Sequence, residues 1–225
     1  MSTSQALPLQ IDIVSDVVCP WCVLGYLQLE TALARMPGVF AVNVCWHPFE
    51  LNPQMPPEGE ELSQHLARKL GPGAASSSRG TRDRLQQLGK AVGFHFDYFD
   101  GMRVVNTFRA HQLLHWARDS GLQTRLQLVL FRYFFSERQD VSDPQVLVRA
   151  ASEAGLPSDE ARTVLEDARF AKPVREAQRR WLERDVTAVP SFFFEGSYPV
   201  PGAQDPATFE RILRKLQAVK TDLHA

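Results

Sequence analysis

The stretch Leu9-Gln-Ile-Asp-Ile-Val-Ser-Asp-Val-Val-Cys-Pro-Trp-Cys22 joins a strand pattern to two cysteines that are three residues apart. Residues 9–14 alternate apolar with polar side chains and are rich in β-branched types, which predicts a strand. After a turn at 16–19, Pro20 suits the first position of a helix, where its missing N–H has no partner to lose. Apolar residues on two sides of the segment 23–36 predict one helix packed between two layers, and a Pro-Gly pair ends it.

The rest of the chain extends this unit in two steps. Residues 40–47 predict a second strand, so the N-terminal segment forms a βαβ unit, parallel and right-handed by the usual rule. From residue 58 to 184 the apolar period is that of helices, beginning with a helix over 60–70, and the Gly/Ala/Ser-rich segment 71–78 predicts a loop.

The β pattern returns near the C-terminus. Residues 190–194 and 198–200 predict a hairpin, and Asp205-Pro206 opens a closing helix. The predicted fold class is therefore α/β: a thioredoxin fold with a large all-helical insertion. In this plan the thioredoxin-like domain is discontinuous, with residues 1–57 and 185–225, and residues 58–184 form the helical insertion.

Composition and charge argue against several classes of function. The chain has 225 residues, 25 basic and 26 acidic, and its net charge of −1 gives no reason to expect nucleic acid or an anionic membrane as a partner. No apolar run approaches the roughly 20 residues of a membrane helix. The N-terminus has neither a basic nor an apolar signal region, so we expect no signal peptide and a cytoplasmic localisation.

Cys19 and Cys22 are the candidate catalytic residues. A thiolate attacks disulfides, and the free N–H groups at the start of a helix stabilise negative charge on a sulfur placed there. Cys19 is therefore expected to be the exposed nucleophile, and Cys22, about one helical turn further on, the buried resolving thiol. Between them, Pro20 stiffens the turn, and Trp21 is expected to cover the sulfurs or to contact substrate.

A zinc site is the alternative use of two such cysteines. Zinc usually takes four ligands, and the sequence has no second CxxC pair. His111 and His115 are spaced to complete a set, but nothing in the sequence places them beside Cys19. Because the pair lies in a βαβ unit, the pattern favours redox chemistry, and we expect no metal.

Several motifs along the chain carry a resemblance to a known family. They are Ile11 to Cys22 with Gly25, Trp46-His-Pro-Phe-Glu-Leu-Asn-Pro53, Asn106-Thr107 with Ala110-His111, Asp143-Pro144, Val189-Pro190 and Gly202-Ala-Gln204. Together they resemble the FrnE-like branch of the DsbA family of thiol–disulfide oxidoreductases. The resemblance implies a Cys19–Cys22 redox pair, with a cis Val189–Pro190 bond facing it. It also implies that the backbone of Val189 receives an extended substrate by strand-like hydrogen bonds.

The resemblance leaves three functions open. The first is dithiol–disulfide exchange with a protein or small-molecule thiol, which needs no cofactor besides the redox-active disulfide. The second is a glutathione-dependent isomerase or transferase, as in the related 2-hydroxychromene-2-carboxylate isomerases and kappa-class glutathione transferases. Those enzymes usually carry Ser where this chain has Cys19, so the two cysteines favour the first function. The third is a non-catalytic chaperone or binding protein.

Other residues have a structural and a functional interpretation. The structural one is favoured for Cys45, as a buried free thiol, for the aromatic cluster at 94–99, as core, and for the arginines of 175–184, as a solvated helix face. It is also favoured for Asn106 and His111, which are expected to fix the packing of the insertion. For His47, Glu50 and Asn52, lining the site and being satisfied loop polars are equally supported.

Overall fold

The computed structural model describes residues 6–71 and 74–223, and for residues 74–78 and 223 it describes the backbone alone. Residues 1–5, which bear on the expectation about a signal peptide, lie outside these ranges. The described elements follow in chain order: β1 Leu7–Ser15, α1 Pro20–Ala34, β2 Phe40–Pro48, β3 Glu60–Glu61, α2 Leu62–Leu70, α3 Ala74–Ala91, β4 Arg103–Val104, α4 Phe108–Ala117, α5 Gln123–Ser136, α6 Pro144–Glu153, α7 Ser158–Asp167, α8 Ala171–Leu182, β5 Ser191–Phe194, β6 Tyr198–Pro201 and α9 Pro206–Leu223.

Four strands form the main sheet, in the order β2-β1-β5-β6. The central strand β1 runs parallel to β2, with Ile11 opposite Val44, and antiparallel to β5, with Val14 opposite Ser191. Strand β6 pairs antiparallel with β5, so the predicted βαβ unit and the C-terminal hairpin are confirmed. This topology places the start of α1 and the start of β5 at the same end of the sheet.

Both faces of the sheet are covered by helices. Ile11 and Ile13 are fully buried in a large apolar cluster that includes α1. Val14 points to the opposite face, where it packs with Trp181 of α8 and Phe193 of β5. Burial on both faces explains why two apolar residues, Ile13 and Val14, follow each other near the end of β1.

The large cluster continues from the sheet into the helical insertion. Besides β1 and α1 it contains buried side chains of α4, α5, α6 and α7, such as Leu113, Leu130, Leu147 and Val164. The domain boundaries at 57/58 and 184/185 therefore stay a prediction, since the two parts share one core. None of the helices in the described part of the chain combines the length and the hydropathy that crossing a membrane requires.

The insertion differs from its prediction in two places. Strand β3 occupies the first two residues of the predicted 60–70 helix and pairs antiparallel with β4, so a short two-stranded ribbon interrupts an otherwise helical insertion. Helix α3 begins at Ala74, so the predicted loop over 71–78 is wrong for residues 74–78. Alanine is the best helix former and serine is tolerated, so these residues continue a helix readily. Residues 72 and 73 lie outside the described ranges.

One buried side chain fastens the insertion to the sheet edge. Strand β2 is an edge strand, and the amide of Gln123 in α5 bonds both backbone groups of Trp46. Its Oε1 accepts from the Trp46 N–H at 2.9 Å, and its Nε2 donates to the Trp46 carbonyl at 2.9 Å. The indole Nε1 of Trp46 donates to the Thr124 hydroxyl at 2.9 Å. Gln123 thus takes the place of a neighbouring strand at this residue.

The substitution Gln123→Ala is expected to lower the free energy of unfolding by about 1–3 kcal/mol, because it leaves a buried N–H and carbonyl without partners. Urea unfolding of the reduced protein measures this difference. The matched control is Gln87→Ala, at an exposed position of α3, which is expected to change stability by less than about 0.5 kcal/mol. Equal effects of the two variants would contradict the assigned role of Gln123.

Candidate functional site

The two cysteines lie at the N-terminus of α1. Pro20 is the first helical residue, and Cys19 is the N-cap, with extended dihedral angles of φ −93° and ψ 112°. The Cys19 N–H donates to the Asp16 carbonyl at 3.1 Å, and the Cys22 N–H donates to the Cys19 carbonyl at 3.1 Å. These bonds fix residues 16–22, which we call the redox turn. Both cysteines are free thiols in this structure, as is Cys45.

The segment before β5 faces the redox turn. The Val189–Pro190 peptide bond is cis, as the family resemblance implies. The Cys19 sulfur lies 3.7 Å from the Val189 carbonyl oxygen, although 170 residues separate the two in the chain. The Pro190 carbonyl accepts the Gly202 N–H at 2.8 Å, which holds this segment against the end of β6.

The structure thus brings together the predicted site residues, with one correction. Cys19, Cys22, Val189 and Pro190 meet, and the partly buried Trp21 packs on the main core. However, the expectation of an exposed Cys19 is wrong: only 3% of the residue is accessible to solvent. Cys19 belongs to the main core cluster, against which Val189 packs, so the segment from the far end of the chain covers its sulfur.

Cys22 is fully buried, and burial raises the pKa of its thiol well above the ordinary value. A hydrogen bond with Cys19 and the charge on Cys19 act in the same direction, whereas the Ser15 hydroxyl and the Asp16 backbone oppose them. The raised pKa keeps the Cys22 thiol protonated at neutral pH.

A buried acidic side chain, which the sequence patterns above do not single out, supports the redox turn. Asp16 is 1% exposed, and its Oδ2 accepts the Leu51 N–H at 2.8 Å. Its Oδ1 lies 3.3 Å from Nε2 of His111 in α4, whose shorter contact is with the Phe49 carbonyl at 2.9 Å. The sequence does carry a signal for this role, because an acidic residue stands between the first strand and the Cys19–Cys22 pair. The bond from Leu51 ties the turn to the exit of β2, while Asp16 Oδ1, next to His111 of the insertion, has no hydrogen-bond partner among the described residues.

The other polar candidates find partners away from the cysteines. His47 Nε2 contacts Asp12 Oδ1 at 2.8 Å, and Asn52 Oδ1 accepts from Lys69 at 3.2 Å. Glu50 is buried and bonds Gln178 at 2.9 Å and also Arg175. The interpretation as satisfied polars is therefore supported for His47 and Asn52, whereas Oε1 of buried Glu50 has no partner in the described part of the chain.

Two arginines of the predicted solvated face over 175–184 are exposed, as expected, and also make specific contacts. Arg175 pairs with buried Glu50 and stacks on the Phe108 ring, with 3.8 Å between guanidinium carbon and ring centroid. Arg184 lies over the rings of Trp181 and Phe193, at 4.4 Å and 4.7 Å. Glu50 lies far from Arg175 in the chain, so a local charge pattern does not reveal this pair.

The set of ligands needed for the zinc alternative is not formed. His111 is engaged by Phe49 and lies beside Asp16, and the ring of His115 packs at a tilt of 45° against Phe170, with 5.4 Å between centroids. Within the described ranges, the one group of His, Cys and acidic side chains close enough to share an ion is Asp12, Cys45 and His47, which contains neither cysteine of the redox turn.

Alkylation of the reduced, native protein tests this description of the three thiols. At pH 7, iodoacetamide is expected to label Cys22 and Cys45 far more slowly than Cys19, because burial raises the pKa of both, that of Cys45 to about 11. Since the thiolate is the reactive form, Cys45 labelling is expected to rise about tenfold per pH unit between about pH 7 and 9. Mass analysis of peptides locates the label.

Denatured protein, in which all three cysteines react, is the control for this measurement. Labelling of Cys22 as fast as that of Cys19 in the native protein would contradict the assignment of Cys22 as the protected thiol.

Comparison with known proteins places this site in a family. The model of the DSBA-like thioredoxin domain matches residues 10–214. The crystal structure of a probable DsbA oxidoreductase from Streptomyces coelicolor is 32% identical, with 92% of this chain and 89% of that chain covered and a TM-score of 0.85. The uncharacterized protein YwbO of Bacillus subtilis is 26% identical over 215 residues, which are 95% of this chain and all of that protein.

A more distant structure shares the fold. It is that of the cytosolic disulfide reductase DsbM from Pseudomonas aeruginosa with GSH, 17% identical, with 96% of this chain and 100% of that chain covered and a TM-score of 0.57. The predicted thioredoxin fold with a helical insertion is confirmed by these matches and by the sheet described above. The chain belongs to the family of DSBA-like thioredoxin domains.

Proposed function

We propose that this protein is a thiol–disulfide oxidoreductase whose Cys19 and Cys22 alternate between dithiol and disulfide. The observation that carries the proposal is the position of the Cys19 sulfur, at the mouth of α1 and 3.7 Å from the carbonyl oxygen that precedes cis Pro190. Membership of the DSBA-like family and the likeness to a probable DsbA oxidoreductase support it.

In the reductive direction, the Cys19 thiolate attacks one sulfur of a substrate disulfide. A bond forms between Cys19 and that sulfur, the substrate S–S bond breaks, and the second substrate sulfur leaves as a thiolate. Cys22 then loses its proton and attacks the Cys19 sulfur, which releases the first substrate thiolate and leaves the Cys19–Cys22 disulfide. The substrate gains two electrons and the cysteine pair loses two. The same steps in reverse oxidise a dithiol substrate.

The surroundings of Cys22 suit the resolving step. Two of the three effects that raise its pKa come from Cys19: the hydrogen bond and the charge. Both disappear when Cys19 is held in a mixed disulfide, while the Ser15 hydroxyl and the Asp16 backbone still favour the Cys22 thiolate. Formation of the mixed disulfide therefore makes Cys22 easier to deprotonate at the moment when its thiolate is needed.

We assign substrate binding to the residues on either side of the sulfur. The backbone of Val189 takes no part in the sheet ladder, because β5 begins at Ser191, so it is available to an extended substrate. Trp21 and Pro20 form the side of the proposed binding site that lies across the Cys19 sulfur from Val189. Attack requires that the contact between Cys19 and the Val189 carbonyl be replaced by substrate.

Glutathione is proposed as one small-molecule thiol partner, which supplies electrons, and the cytoplasm is the proposed compartment. Both rest on the structure described as cytosolic disulfide reductase DsbM with GSH, which shares the fold. The same observation supports, as a second candidate, a glutathione-dependent isomerase or transferase in which Cys19 acts on bound glutathione and Cys22 is dispensable.

A cysteine series separates these functions. Reduction of insulin with glutathione as electron donor is measured for wild type, Cys19→Ser, Cys22→Ser and Cys45→Ser. We expect Cys19→Ser to abolish turnover, because the attacking sulfur is lost. Cys22→Ser is expected to stop turnover and to accumulate a mixed disulfide on Cys19, visible by mass spectrometry. Cys45→Ser is the matched control and is expected to retain turnover.

Turnover that survives Cys19→Ser would rule out the proposed chemistry. Full glutathione-dependent turnover in Cys22→Ser would favour the isomerase or transferase. Protection of an unfolded client by a variant that lacks both Cys19 and Cys22 would instead indicate a chaperone. The reduction potential of the Cys19–Cys22 pair is then compared with that of the cellular glutathione pool, and the difference distinguishes a reductase from an oxidant.

A further inference from the structure

A cavity of about 320 Å³ lies beside the redox turn. It is lined mostly by apolar side chains from the turn and from α2, α3 and α5, among them Val18, Leu66, Leu85 and Phe134. This volume is at the lower end of the range for small-molecule sites, which are mostly apolar with a few polar groups that orient the ligand.

The cavity lies next to the nucleophilic sulfur. Val18 and Pro20, the residues on either side of Cys19, both line it. Tyr98 on the cavity wall is close enough for negative charge on Cys19 to contribute to its raised pKa, although burial is the larger cause. A molecule in this cavity therefore has direct access to the residues that flank the proposed catalytic cysteine.

Two arginines line this apolar wall, and among the described residues Arg103 is the one seen to donate to backbone carbonyls. Arg103 donates to the Glu58 carbonyl and, at 3.0 Å, to the Gly59 carbonyl. The Nε of Arg82, in contrast, is buried and has no hydrogen-bond partner in the described part of the chain. The guanidinium carbon of Arg82 lies 5.8 Å from the centroid of the Tyr98 ring.

The nearby acid does not saturate Arg82. Glu61 feels the charge of Arg82, but this is the smallest of the effects on its pKa. Its carboxylate accepts hydrogen bonds from the Ser63 hydroxyl and from the Gln64 N–H at 3.0 Å. Since Arg82 lines the cavity and its Nε is closed off from solvent, a carboxylate or sulfonate in the cavity pairs with the guanidinium through its other nitrogens.

From this arrangement we infer that the cavity binds a small amphiphilic acid: an apolar body with an anionic group held by Arg82. This inference rests on the proposed function: the molecule is the thiol or disulfide with which Cys19 exchanges, by the two-electron steps given above. Its body fills the apolar cavity, and its sulfur reaches the redox turn. Glutathione, which is polar along its whole length, fits these walls poorly and is the second thiol partner rather than the occupant.

Two fluorescent probes of nearly equal shape test the site without any redox chemistry. Anilinonaphthalenesulfonate carries one anionic group, and N-phenylnaphthylamine is its neutral counterpart. Dissociation constants are measured for the folded wild type, Arg82→Gln, Arg82→Lys, Arg84→Gln and Leu66→Trp. Arg84 is exposed on the same helix as Arg82, so Arg84→Gln controls for the loss of one charge.

Arg82→Gln is expected to weaken the anionic probe about tenfold and to leave the neutral probe unchanged, since one charged hydrogen bond is lost. Arg82→Lys is expected to recover part of the loss, and Arg84→Gln to change neither constant. Leu66→Trp, which fills the cavity, is expected to weaken both probes. Equal effects of Arg82→Gln on the two probes, or binding of both unaffected by Leu66→Trp, would overturn the inference.

The link to turnover is tested separately. Oxidation of the reduced protein by the anionic aryl disulfide dithiobis(nitrobenzoate) is expected to slow in Arg82→Gln, whereas oxidation by neutral dithiodipyridine is expected to keep its rate. Equal slowing with both reagents would contradict substrate recognition by Arg82. Probe binding in Cys19→Ser is expected to match that of wild type, so a failure of the proposed redox function leaves the binding result interpretable.

Discussion

Pairing of Val14 with Ser191 holds the two halves of the site together. Strand β1 runs directly into the redox turn, and β5 begins directly after Pro190, so the register of these two antiparallel strands sets the distance between Cys19 and Val189. The chain between them makes the whole helical insertion before it returns. Closing so long a loop costs conformational entropy, which packing of the insertion against the same sheet offsets.

Buried polar contacts set the position of the insertion. Gln123 satisfies both backbone groups of Trp46, His111 lies against Asp16, and Arg175 reaches buried Glu50. Apolar contacts alone are non-directional and allow helices to slide, whereas an unpartnered buried polar group is costly. These contacts therefore fix one arrangement of helices around the redox turn. They also fix the shape of the cavity that Val18 and Pro20 line.

Local sequence patterns predict most of the helices and strands. Features that depend on contacts between distant segments are not visible in such patterns. The alternation of residues 9–14 and the Asp143-Pro144 helix start needed no partner to be recognised, and the Asp143 carboxylate does accept the Gln145 N–H. The β3–β4 ribbon pairs Glu60 with Val104, too far along the chain for a local pattern to show. For the same reason the burial of Cys19 under a segment 170 residues away was missed, and the cis bond before Pro190 came from the family resemblance, not from spacing.

The core shared by sheet and insertion has an evolutionary consequence. Where an inserted domain has its own core, recombination can exchange it for another and so change specificity in one step. Here the buried side chains of α4 to α7 complete the cluster that contains Ile11 and Cys22, so a transplanted insertion would arrive without matching surfaces. Relatives with this architecture are expected to diversify by point substitutions in the cavity wall, while the helices around the cysteines are inherited as a unit.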